Sequence, residues 1–96
     1  MLRQDENTCG NSESTPSKGV AFLRDMFALK EVEARVHKAR SMYPDMRSAP
    51  EGYAILLEEV DELWAEIKKK SPDKEQMRQE ALDVAAMAVR FIVDLC

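Results

Sequence analysis

The chain has 96 residues, 45% of them hydrophobic and 33% charged, with a formal net charge of −4 from 14 basic and 18 acidic residues. That length fits one small domain, whose limited core volume makes self-association a ready way to complete its burial. The basic residues are interspersed with acids, which excludes the basic stripe of a nucleic-acid binder.

Residues 1–17 are rich in Asn, Ser, Glu, Gln and Thr, with Gly10 and Pro16 and almost no apolar content. They read as a disordered arm preceding a domain over residues 18–96. No signal-peptide core opens the chain and no apolar run is long enough to span a bilayer, so no membrane association is expected and the cytoplasm is the expected compartment. Cys9 and Cys96 stand near opposite ends, away from any histidine. A zinc site of the usual spacing is excluded, and a disulfide scaffold is not expected.

From about Lys18 to Met42 the apolar residues Val20, Leu23, Phe27 and Val32, with Met26, Leu29 and Val36 alongside, recur at helical spacing. Tyr43-Pro44-Asp45 ends this first helix, because proline disfavours helical geometry in the residue before it. Ser48-Ala49-Pro50-Glu51 opens a second, with Ser48 and Glu51 in capping-box positions and Pro50 in the first turn, where its missing N–H costs nothing. This helix is predicted to run to about Lys69 or Lys70, where Lys68, Lys69 and Lys70 suit the negative end of its dipole. Ser71-Pro72-Asp73 is a turn that caps a third helix over about Lys74 to Leu95. With no strand-like alternation and no repeat, the expected fold is all-α, with three main helices.

Two acidic clusters fall on the second and third helices. In the second, Leu56, Val60, Leu63, Trp64 and Ile67 make an apolar stripe, beside which Glu59 and Glu62, three residues apart, project together. The third helix is apolar almost all round, the pattern of a helix buried on every side. Glu80, Asp83, Arg90 and Asp94 nevertheless share one narrow sector of it. One reading is structural: Arg90 bridges to Asp94 or Asp83, and Glu80 complements the helix start. The other is functional: Glu80 and Asp83 face Glu59 and Glu62 across two antiparallel helices. Four carboxylates that close repel one another unless a cation lies between them. Oxygen-only ligands select a hard ion, Mg²⁺ with Mn²⁺ as a substitute, and Mg²⁺ bound this way usually completes its shell with water and substrate phosphate.

At these residues the chain resembles the MazG-like, all-α nucleoside triphosphate pyrophosphohydrolases. Their pattern of Glu-Glu-x-x-Glu, a spacer and Glu-x-x-Asp is met by Glu58, Glu59 and Glu62, then Glu80 and Asp83, within a likeness covering roughly His37 to Leu95. The resemblance implies hydrolysis of a nucleoside triphosphate between the α and β phosphates, giving a monophosphate and pyrophosphate. It implies Mg²⁺ on Glu59, Glu62, Glu80 and Asp83, with Glu58 positioning or deprotonating the attacking water or serving a second ion. It also implies a homodimer, or a homotetramer built from dimers.

Arg90, two turns from Asp83, suits a phosphate contact, since guanidinium forks onto phosphate oxygens. His37, Lys38 and Arg40 on the first helix are further substrate candidates, although a histidine on a charged helix is commonly a solvated surface residue. Trp64, on the apolar stripe, is expected in the core or a subunit interface rather than stacked on a base. The competing reading is a non-catalytic helical oligomer with a structural acidic network. A related dUTPase or phosphoribosyl-ATP pyrophosphohydrolase is a further alternative.

Overall fold

A computed structural model describes residues 18–96. The arm expected over residues 1–17 lies outside the described residues. Three helices follow in chain order, α1 (Lys18–Met42), α2 (Ala49–Ile67) and α3 (Lys74–Leu95), with no strand among the described residues. None of these helices is long and apolar enough to cross a membrane.

The termini explain the boundaries. Ser48 Oγ accepts the Glu51 N–H at 3.2 Å, as a capping box requires, but the Glu51 carboxylate reaches past the cap and accepts from the Arg47 N–H at 2.7 Å. Asp73 caps α3 by accepting the N–H groups of Glu75 and Gln76 at 2.9 and 3.3 Å. α2 stops at Ile67, short of the predicted Lys69 or Lys70. Its end is drawn tight, because the Lys69 N–H donates to the Glu66 carbonyl three residues back, at 3.3 Å.

α3 is the central element: α1 and α2 each pack on it and not on each other. Gly52 at the start of α2 lies against Phe91 and Leu95 near the end of α3, so those two helices are antiparallel. Pairs between α1 and α3 climb in the same direction on both helices, from Glu31–Arg78 through Arg35–Asp83 to Arg40–Asp94, so these two are parallel. A small core of Ala39, Met46, Ala86 and Met87, with Ile55, Leu56 and Phe91 packed against it, joins the three.

The loop between α1 and α2 is bound to α3 by polar groups. Asp94 receives both terminal nitrogens of Arg40, at 2.8 and 3.0 Å, and the Met46 N–H at 2.9 Å. Arg90, only 2% exposed, donates from Nη2 to the Pro44 carbonyl at 2.7 Å and from Nη1 to Met87 Sδ at 3.4 Å. The predicted bridge from Arg90 to Asp94 or Asp83 is therefore replaced: those acids pair with Arg40 and Arg35 of α1, and Arg90 serves the loop.

Apolar surface is left over. Residues 18–30 include no buried side chain, and Phe22 and Phe27 are more than half exposed. Ile92 and Val93 are exposed too, so α3 is not covered on every side within one chain. The α2 stripe divides: Leu56 packs against the core, while Val60, Trp64 and Ile67 join Tyr53 and Leu57 on an outward seam. Trp64 is thus not a core residue of the single chain.

Gly52 is required for space rather than for backbone conformation, since no described residue has a positive φ. A Cβ there would lie 2.7 Å from Phe91 Cδ2 and 2.8 Å from Leu95 Cδ1. Alanine gains about 1 kcal/mol of helix propensity over glycine, but overpacking of this kind costs about 1–3 kcal/mol. Gly52→Ala is therefore expected to lower stability by about 1 kcal/mol net, and Gly52→Val by more. Urea unfolding measures both, and a stabilised Gly52→Ala would show that Phe91 and Leu95 yield without cost.

Candidate functional site

Because α1 and α2 stand apart on α3, a cleft of about 520 Å³ opens between them. α2 contributes Glu58, Glu59 and Glu62 to its wall, α3 contributes Asp83, Met87 and Arg90, and α1 contributes Arg35 and Lys38. The α2 side is acidic and the α1 side cationic, and α3 between them presents an acid, a thioether and a guanidinium.

Glu59, Glu62 and Glu80 each offer a carboxylate oxygen to one group whose members all lie within 4.8 Å of one another. The helices dictate this meeting: Glu59 and Glu62 are a turn apart on α2, and the antiparallel hairpin brings the first turns of α3 to the same level. Glu80 Oε2 accepts from Gln76 Nε2 at 2.8 Å. Its Oε1 is buried and has no hydrogen-bond partner among the described residues. A buried, unsatisfied carboxylate oxygen facing two more carboxylates is a costly arrangement that a cation would relieve. The donor set is oxygen alone. These three residues could hold a hard divalent cation.

Glu59 carries the electrostatic signature of the cluster. Its carboxyl is pushed up to about 7, first by burial, then by the charges of Glu62 and Asp83, hydrogen bonding to Glu62 and the charge of Glu80. Asp83 lines the cleft but does not join the group of three. It is held by Arg35, which also donates to the Gln79 carbonyl at 3.3 Å and to the Gln79 side chain.

Of the other predicted residues, Glu58, Lys38 and Arg90 all line the cleft. His37 does not line it: its side chain is 76% exposed, 3.9 Å from Glu33. Arg90 presents a further orphan, since its Nε is buried with no partner among the described residues. Arg35 escaped the sequence reading, because nothing in its own helix distinguishes it from neighbouring charges. Only the register of α1 on α3 brings it to Asp83.

Comparison with family models, with curated proteins and with solved structures returns no match.

The raised Glu59 fixes the sign of a pH dependence. Between about 4.5 and 7 the folded chain holds a proton that the unfolded chain has released, so this group's contribution to stability is lost as pH rises through that window. A divalent cation held by the three carboxylates would replace the proton, so Mg²⁺ is expected to raise Tm above pH 7 and to have little effect near 4.5. Glu59→Gln, which cannot ionise, should flatten the metal-free profile. Thermal melts across that range with and without Mg²⁺ check this, and a Mg²⁺ effect independent of pH would refute it.

Proposed function

We propose that the chain is a Mg²⁺-dependent nucleotide pyrophosphohydrolase that cleaves an NTP or dNTP to the monophosphate and pyrophosphate. The observation that carries this reading is the meeting of Glu59, Glu62 and Glu80 from two helices, beside a cleft that also presents Arg35, Lys38 and Arg90. A cation carrying a polyphosphate needs both: carboxylates for the metal and guanidinium or ammonium groups for the remaining phosphate charge. The likeness of Glu58, Glu59, Glu62, Glu80 and Asp83 to the MazG-like pattern supplies the reaction type.

In this reading Glu59, Glu62 and Glu80 hold Mg²⁺, with Asp83 as a fourth ligand. Bound there, Mg²⁺ or Mn²⁺ neutralises phosphate charge and acidifies water. Glu58 positions or deprotonates the water that attacks the α-phosphorus, and the α–β bridging oxygen leaves with pyrophosphate. Arg90 and Lys38, both lining the cleft, supply positive charge for the phosphate oxygens. His37 has no role in the cleft as it stands.

The outward seam of α2 belongs to the same proposal. Tyr53, Leu57, Val60, Trp64 and Ile67 are spaced alternately four and three apart, the repeat of a helix that packs lengthwise on another. A second copy covers this seam, giving a homodimer or a homotetramer.

A panel of canonical and modified NTPs and dNTPs with Mg²⁺ tests the chemistry, scored for pyrophosphate against orthophosphate. Pyrophosphate release is expected for at least one member. Glu59→Gln or Glu80→Gln should reduce it by about 100-fold or more, the scale of losing an electrostatic contributor to the transition state. No pyrophosphate from any member, with the protein folded, would sink the reading. Separately, Val60→Glu with Trp64→Glu should convert the oligomer to a monomer in light scattering after size exclusion. An unchanged mass would show that the seam is not the interface.

A further inference from the structure

Arg35 lies where three features of the molecule meet. It lines the cleft, it lines a second cavity of about 230 Å³ between α1 and α3, and it is ion-paired with Asp83. All its named partners lie on α3 one turn apart: the carbonyl and side chain of Gln79, and the carboxylate of Asp83. Both members of the ion pair are about a quarter exposed, at 24% and 30%, so water only partly screens them.

The same contact sets the shape of the acidic group. Glu59, Glu62 and Glu80 converge to within 4.8 Å, and Asp83, next along the Glu80 face of α3, is not among them. A guanidinium with a planar fork is a strong local competitor for a carboxylate. Were Arg35 an outer support that aims Asp83 at a cation, Asp83 would stand with the other three acids. Instead it stands with α1. Glu80, whose Oε1 is buried without a hydrogen-bond partner among the described residues, leaves the group of three with unmet demand for a cation.

We infer that Arg35 is a latch on Asp83: guanidinium and divalent cation are alternative partners of one carboxylate, and the fourth ligand is delivered only when Arg35 lets go. This rests on the cation site proposed above and adds its regulation. Release has room, because Arg35 itself lines both the cleft and the second cavity, which it shares with Glu31, Lys38 and Leu82. It also couples loading to α1. The bond that yields Asp83 is one of the ties holding α1 to α3, while Glu31–Arg78 and Arg40–Asp94 remain.

The test is isothermal titration of the full chain with Mn²⁺, in the absence of nucleotide. Arg35→Met keeps the aliphatic stem and removes the fork; it is expected to bind Mn²⁺ about fivefold more tightly than the unmodified chain, the scale of one partly screened ion pair. Arg35→Lys, which keeps charge and stem, guards against misfolding of the first variant and should fall between the two. Arg78→Ala removes the same charge and one α1–α3 ion pair without touching Asp83, and should leave Mn²⁺ affinity close to that of the unmodified chain. Equal or weaker binding by both Arg35 variants, or tightening matched by Arg78→Ala, overturns the latch. Glu80→Gln separates the two levels. If the unmodified chain binds Mn²⁺ and Glu80→Gln does not, the cation site stands whatever Arg35 does. If neither the unmodified chain nor any Arg35 variant binds Mn²⁺ while folded, the site and the latch fall together.

Discussion

Two polar groups near the end of α3 hold the α1–α2 loop: Asp94 through Arg40 and the Met46 N–H, and Arg90 through the Pro44 carbonyl. The apolar core is small, and α1 and α2 do not pack on each other. The angle between them is therefore fixed by what each makes with α3 and by this clamp on their connection. The cleft exists because that connection is pinned down on α3 rather than drawn tight between two touching helices. A guanidinium as buried as Arg90 is costly unless its donors are used. Two of its three nitrogens are spent on the loop and on Met87, and the third is buried without a partner among the described residues.

The same fold sets two carboxylates to opposite purposes. Asp94 is held well below the usual carboxylate range by hydrogen bonds from Arg40 and from the Met46 backbone. It contributes stability at neutral pH that is lost only as pH falls below the ordinary aspartate value. Glu59 is driven the other way by burial and by its acidic neighbours. An acid satisfied by its surroundings is structural. One raised by burial and by like charge, in a cleft, is left without a counter-charge of its own among the described residues. The paired environments separate scaffold from site within a single three-helix unit.

Much of the architecture was legible because it is written locally. Helical spacing, the Ser48 and Asp73 caps and the proline-bearing turns each act within a few residues, and all three helices follow from them. The approach of Glu59 and Glu62 to Glu80 was legible too, as the consequence of a short turn between two amphipathic helices. What could not be read is how α1 lies on α3. The partners of Asp83 and Asp94 come from α1, more than forty residues away, and no periodicity encodes that register. Arg90 was seen as charged and internal, but its acceptor is a loop carbonyl, which carries no side-chain signature in sequence. The broad apolar stripe of α2 posed a related problem. A wheel shows that a face is apolar, yet not that Leu56 turns to its own core while Val60 and Trp64 turn away from it.

That last division has an optical consequence. Trp64 is the chain's one tryptophan, it is 55% exposed, and the Lys68 ammonium lies 5.7 Å from its ring centroid. It sits on the outward seam and is not among the residues that line the cleft. Intrinsic fluorescence from this protein therefore reports the outer surface of α2 and the company that surface keeps. Events among the carboxylates reach the indole only by being transmitted through the body of the helix. A red-edge emission belongs to the lone chain, and a blue shift that grows with protein concentration marks the seam being covered.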